Sequence, residues 1–179
     1  FECLSRVDLA DREMLGWLRE AGCFRISYGA ESGSQRVLDA MSKGTRVEQI
    51  HQAAQWCHEL GIEVYFYIML GYPGEEWADI RATVRLLREA LPDAFSSTVA
   101  YPLAGTPFFE QVRDRLVEAP DWAHTAENRV LYRGRYATRF YRWAQRWLHK
   151  EWQVARLHNA HLSITARARL WAELWASRA

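Results

Sequence analysis

The 179-residue sequence has little cysteine, almost no net charge and no long uncharged apolar run. Each shortage removes a class of function. Cys3, Cys23 and Cys57 are its only cysteines; odd in number and far apart, they form no CxxC pair and no zinc spacing. That argues against a disulfide framework and suits free thiols in a reducing cytosol, so a cytoplasmic location is expected. Each reads as a small core residue, since free cysteine is among the most buried side chains. A net charge of +1 gives no overall attraction to nucleic acid or acidic lipid; such a partner would need a local patch. No stretch approaches the roughly 18 uncharged apolar residues of a membrane span, and no secretory pattern is present, so no transmembrane segment is expected. A nucleophile–base pair, a Walker loop and a dinucleotide GxGxxG are also missing. The six histidines show no ligand spacing, and no metal-binding residue is expected.

What is present suits a globular chain: apolar residues make up 49% and charged residues 25%, enough to bury one core. The stretch FRISYGAESGSQRVLDAMSKG, Phe24 to Gly44, organises the rest. Phe24, Ile26 and Tyr28 alternate with Arg25, Ser27 and Gly29, the period of a strand. Gly29 and Gly33 bracket Ala30-Glu31-Ser32, so the backbone can turn tightly and approach a ligand. Val37, Leu38 and Met41 follow at helical spacing, with Gly44 as a stop. A carboxylate and a hydroxyl are thereby held where a strand gives way to a helix, the place where α/β folds bind ligands.

Around this unit the pattern repeats. Phe1 to Val7 alternates as a strand, and Asp8 and Asp11 can start a helix carrying Met14, Leu15, Leu18 and Ala21. Thr45 and Glu48 match a capping box ahead of Val47, Ile50, Ala54, Cys57 and Leu60. Ile62 to Leu70 is almost continuously apolar, as in a strand covered on both sides. Gly71-Tyr72-Pro73-Gly74 breaks it. Glu75 and Glu76 then suit the positive end of a helix dipole, and that helix buries Trp77, Ile80, Val84, Leu87 and Leu91. Ala94 to Tyr101 is a fourth strand. Strands joined through helices run parallel, either as a small open sheet or as the second half of a (β/α) barrel. Residues 1–116 are read as that α/β unit and 117–179 as a helical cap or extension. Within the extension, Phe140, Ala144, Trp147 and Leu148 mark one helix face and Arg139, Arg142, Arg146 and Lys150 another. A last helix is expected over 163–177. The basic aromatic helix could meet nucleic acid or a membrane surface; packing its tryptophans on the α/β unit and leaving its arginines in water is the expectation we adopt.

Four strand ends collect polar or glycine-rich residues on what must be one rim: Arg6 with Asp8, Glu31 with Ser32, Gly71 to Gly74, and Tyr101-Pro102 with Gly105-Thr106-Pro107. Glu31 can accept from an ammonium or sugar hydroxyls, or can cap the following helix. Arg6 or Lys43 can meet a carboxylate, or can be ordinary surface charges.

Three of these runs, RISYGAESGSQRVLDAMSKGT, GIEVYFYIMLGYPGE and AYPLAGTPFFE, carry a resemblance. Residues 1–116 resemble the second half of a radical S-adenosylmethionine (SAM) domain, most closely the group with an N-terminal cobalamin-binding domain. The resemblance implies a partial (β/α) TIM-like barrel, of which these would be the last four strands. It also implies S-adenosylmethionine and a [4Fe-4S] cluster as cofactors, with cobalamin as a further one. Glu31, Ser32 and Gly33 would then lie beside S-adenosylmethionine; Gly71, Tyr72 and Pro73 would line its adenosine side. Lys43 and Arg6 would be partners of its polar groups. No residue is assigned as catalytic. The family's CxxxCxxC cluster loop is absent, and Cys3, Cys23 and Cys57 cannot replace it at their spacing. The chain begins at Phe1 in what already reads as a strand, so we expect a piece of a longer polypeptide with the cluster loop upstream. The implied function is reductive cleavage of S-adenosylmethionine leading to cobalamin-associated methyl transfer or oxidative cyclisation. Its partners would be a small-molecule substrate and the upstream half of the same polypeptide, with no nucleic acid. A methylthiotransferase, or a non-catalytic scaffold binding nucleic acid through the arginine-aromatic helix, stands as the alternative.

Overall fold

The computed structural model describes residues 1–117, 132–159 and 165, so the helix expected over 163–177 lies almost wholly outside them. Four strands, β1 (Glu2–Ser5), β2 (Arg25–Glu31), β3 (Glu63–Leu70) and β4 (Ala94–Val99), pair in chain order, all parallel. Between them run α1 (Arg12–Glu20), then α2 (Gln35–Ala40) with α3 (Val47–Glu59), then α4 (Trp77–Ala90). After β4 come α5 (Pro107–Val112) and the long α6 (Thr138–His158).

The helices lie against one face of the sheet. Ile26 and Tyr28 of β2, Val64, Phe66, Ile68 and Leu70 of β3, and Phe95 and Val99 of β4 form the core with Leu15, Leu38, Ile50 and Leu87 of the helices. Cys23 and Cys57 are buried in that core and Cys3 borders it. Fully burying one such aliphatic side chain contributes about 2 kcal/mol. The opposite face is open among the described residues: Leu4 is 77% exposed and Tyr67 41%. This corrects the expectation that β3 is covered on both sides. Its second face is Glu63, Tyr65, Tyr67 and Met69; the two tyrosines and the methionine count as apolar in a run, yet the tyrosines tolerate partial contact with water.

The start of α3 also differs from the expectation. The helix begins at Val47, one residue later than a Thr45 cap requires. Gln49 Oε1 accepts from the Arg46 N–H at 2.8 Å and Gln35 Oε1 from the Val47 N–H at 3.0 Å. Thr45 is buried, and its hydroxyl has no hydrogen-bond partner among the described residues.

Helix α6 packs on α4 through Tyr141, Ala144, Leu148 and Trp152, with Arg139, Arg142, Arg146 and Lys150 exposed. It also runs along the outer edge of β4 and the turn before it. Gln145 Nε2 donates to the Ser97 carbonyl at 2.7 Å and Trp152 Nε1 to the Pro92 carbonyl at 2.9 Å; Arg156 donates to that of Asp93. An open edge would offer those carbonyls to another strand. Among the described residues the helix covers that edge of β4 at Ser97.

Candidate functional site

The rim begins with a defect in β2. Pairing with β3 runs from Gly29 opposite Tyr67 directly to Glu31 opposite Ile68, so Ala30 is an extra residue in the ladder. Glu31 takes up the irregularity with a φ of 59°. That left-handed conformation costs a non-glycine residue about 1–2 kcal/mol, the kind of strain that clusters at ligand sites. The side chain of Glu31 lines a cleft at the strand ends, where Lys43 Nζ donates to Glu31 Oε1 at 2.8 Å. Both side chains are largely buried, 17% and 22% exposed.

Arg6 stands behind this pair. Its guanidinium forks onto both Asp8 oxygens at 3.0 Å and donates to the Lys43 carbonyl at 2.9 Å. The same fork holds the Asp8 carboxyl below its ordinary pKa. Arg6 therefore braces the loop that carries Lys43, and the cleft itself is lined by Lys43.

Ser32 and Gly33 turn away from the cleft. Ser32 is fully buried: its Oγ lies 3.2 Å from Thr83 Oγ1 and accepts from the Ser34 N–H at 3.1 Å. The Gly33 N–H donates to Thr83 Oγ1 at 3.0 Å, and a Cβ on Gly33 would stand 2.3 Å from the Ala82 carbonyl oxygen. Ser34 adds a 2.6 Å bond to Asp79, which also pairs with Arg36. Burial raises the pKa of Asp79, but its bonds from Ser34, the Glu76 N–H and Arg36 outweigh that and hold it low. This stretch fastens the β2–α2 turn to α4.

The second wall follows β3. Gly71 and Gly74 adopt φ of 80° and 87°, which only glycine takes readily, and Tyr72 between them lines the cleft. Its ring centroid is 5.1 Å from that of Phe108 in α5, another lining residue. Pro73 is half-buried beside it. Thr106 closes this side and caps α5, accepting from the Phe109 N–H at 3.2 Å. With Met41 and Met69 the cleft measures about 530 Å³, the size of a small-molecule site.

Sequence reasoning missed Glu75 and Tyr132. Glu75 is 2% exposed, and its Oε2 accepts from the Gly71 N–H at 2.6 Å; the helix cap is Glu76. Burial pushes its carboxyl up to about 8, against the pull of the Gly71 N–H. Tyr132 donates from its hydroxyl to the Gly71 carbonyl. A glutamate beside a helix start reads as a dipole partner, and a tyrosine 61 residues from Gly71 carries no local signal.

An acceptor and a cation side by side, with a polar turn and an aromatic wall, suit a zwitterionic ligand bearing a flat ring system. The described residues hold no cluster of three or more His, Cys, Asp or Glu that could bind a metal. The Sγ atoms of Cys3 and Cys23 lie 4.0 Å apart, and Cys57 meets the Tyr28 hydroxyl at 3.5 Å. No helix among the described residues is long and apolar enough to cross a membrane.

Residues 2–87 match the model of the radical SAM superfamily. The match takes in a little under half of the chain. An uncharacterised methyltransferase of Pyrococcus horikoshii is 26% identical over 119 residues, 66% of this chain and 26% of the relative. The anaerobic magnesium-protoporphyrin IX monomethyl ester cyclase of Cereibacter sphaeroides is 30% identical over 113 residues, 63% of this chain and 18% of the enzyme. The structure of the radical S-adenosylmethionine methyltransferase TsrM from Kitasatospora setae superposes with a TM-score of 0.56 at 21% identity, over 62% of this chain and 22% of that one. The four parallel strands and their helices thus share the fold of part of the TIM-like barrel in that structure, and the C-terminal helix α6 follows them. The chain spans about a quarter or less of the length of these relatives.

Proposed function

We propose that the rim cleft is one side of an S-adenosylmethionine site in a radical SAM enzyme. The observation that carries this reading is the Glu31–Lys43 pair in the cleft, made at 2.8 Å through one carboxylate oxygen. Glu31 Oε2 makes no hydrogen bond among the described residues, so it can accept from the cofactor's ammonium. Lys43 can serve its carboxylate, and Gly71, Tyr72 and Pro73 its adenosine side. These residues fit the group. A [4Fe-4S] cluster does not fit the described residues: the three thiols belong to the helix-side core, so this reading puts its ligands outside them. When reduced at such a cluster, S-adenosylmethionine supplies a radical able to take hydrogen from an unreactive carbon.

The names of the relatives support a finer reading. Methyl transfer or oxidative cyclisation of a small molecule, with cobalamin as a further cofactor, is the outcome we propose. The remainder of the barrel would come from another part of the same polypeptide. The test is anaerobic reconstitution of the longest polypeptide containing this chain with iron and sulfide, then S-adenosylmethionine and a strong reductant. Formation of 5′-deoxyadenosine is expected. Its absence from a preparation with a spectroscopically confirmed cluster would sink the proposal.

A further inference from the structure

The Gly71–Gly74 turn is held mostly by residues outside itself. Glu75 takes the Gly71 N–H, and Arg36 of α2 donates to the Gly74 carbonyl at 2.9 Å. The Gly71 carbonyl is taken by the Tyr132 hydroxyl, and Tyr141 of α6 lies so close that a Cβ on Gly71 would stand 3.0 Å from its ring. Tyr132 does more than cap a carbonyl. Its ring meets Phe108 edge-on at 5.8 Å, and Phe108 in turn sits against Tyr72. Tyr72 and Phe108 are the aromatic wall of the cleft. Tyr132 itself is fixed by a bridge to Leu116 and by the Arg133 N–H, which donates to the Arg115 carbonyl at 2.7 Å. It is 3% exposed and lines no part of the cleft, so it cannot touch a ligand there.

We propose that Tyr132 is the positioning residue of the cofactor cleft, its hydroxyl setting the backbone of the glycine turn and its ring setting the aromatic wall. This assigns a task to the segment that follows the barrel: it locks the adenosine side of the site from behind. The inference rests on the reading of the cleft as an S-adenosylmethionine site.

Two readouts separate the two claims. The first needs no ligand. Hydrogen exchange of the peptide covering residues 71–76 is compared between the wild-type polypeptide and Tyr132→Phe, which keeps the ring and removes the hydroxyl. Exchange in that peptide is expected to quicken about 10-fold while peptides from β2 and α3 stay as they were. The second is S-adenosylmethionine affinity by equilibrium dialysis. Tyr132→Phe is expected to weaken it about 5-fold and Tyr132→Leu, which also removes the prop under Phe108, about 50-fold. Arg25→Ala, which removes the ion pair to Glu63 at the end of β3 opposite the turn, serves as the control and is expected to keep wild-type affinity. Unchanged exchange in the 71–76 peptide, or equal affinity in wild type, Tyr132→Phe and Tyr132→Leu, overturns the inference. A wild-type polypeptide that binds no S-adenosylmethionine overturns the reading beneath it.

Discussion

Gly29 makes the room in which Lys43 pairs with Glu31: a Cβ on Gly29 would stand 2.8 Å from Lys43 Nζ and 2.8 Å from Glu31 Oε1. The absent side chain belongs to the site as much as the charged ones do. Gly29→Ala would separate the pair without altering either charge. Because both groups are the free ends of flexible side chains they can give way, so the fold should lose no more than about 1 kcal/mol. Ligand affinity should fall much further than stability. Urea titration beside equilibrium dialysis of S-adenosylmethionine would reveal the split, and parallel losses in both would count against it.

Gly33 presents the opposite case. A Cβ there meets the Ala82 carbonyl oxygen at 2.3 Å and the Thr83 Cα at 2.7 Å, backbone atoms of α4 that cannot rotate aside. Gly33→Ala must push α4 off the β2–α2 turn and disturb the Ser32–Thr83 and Ser34–Asp79 bonds. A cost of about 3 kcal/mol, the upper end of ordinary overpacking, is expected in denaturant unfolding. A loss below about 1 kcal/mol would mean that the joint is looser than its geometry.

The course of the chain was legible because periodicity reports burial, and burial is what the four strands and three crossovers share. Ile26 and Tyr28 in β2, and Ile50, Ala54 and Cys57 in α3, lie in the core that their spacing predicts. The rim was legible only as far as topology goes: parallel strands must end together, so Arg6, Glu31, Lys43 and the Gly71 turn had to converge. Which atoms face the cleft depends on a single extra residue, Ala30, that alternation does not reveal. That bulge leaves Glu31 in the cleft and Ser32 behind it. Glu75 escaped for a different reason. Helix-dipole chemistry explains a glutamate at that position equally well whether it is wet or buried.

Glu75 gives stability a pH dependence of unusual sign. Its folded pKa is raised to about 8, first by burial and then by Asp79, while the Gly71 N–H and Arg36 oppose the rise. Tyr132 and Tyr141 face it from the other side and stay neutral over this range, since burial pushes both phenols up. Between the ordinary carboxylate value and 8 the folded state holds a proton that the unfolded chain releases. Stability therefore falls as pH rises through that window and levels off above it. Asp79 works the other way, its pKa lowered in the fold, so its contribution is lost as pH falls into the acid range. Glu75→Gln should flatten the profile between about pH 5 and 8 and leave the acid limb intact. Unfolding midpoints across that range would decide, and an unchanged slope in the variant would refute the assignment.

The Glu31–Lys43 pair can itself be tested apart from any ligand. Partly screened pairs of this kind contribute about 0.5–1 kcal/mol, so a double-mutant cycle with Glu31→Gln and Lys43→Met should return a coupling of that size in the unliganded protein. If the cleft takes the amino-acid end of S-adenosylmethionine, each single variant loses one charge partner of a zwitterion. Each should then weaken binding about 10-fold, the value of one charge-assisted hydrogen bond of about 1.5 kcal/mol. The two losses should add in the bound state, because the ligand's ammonium and carboxylate each meet one of the two. Methionine, which lacks the adenosine, should feel both substitutions as strongly. Adenosine, which lacks the charges, should feel neither. A Glu31→Gln polypeptide that binds S-adenosylmethionine as tightly as wild type would leave the pair with the task of holding the β2–α2 turn, and the cleft would need another ligand.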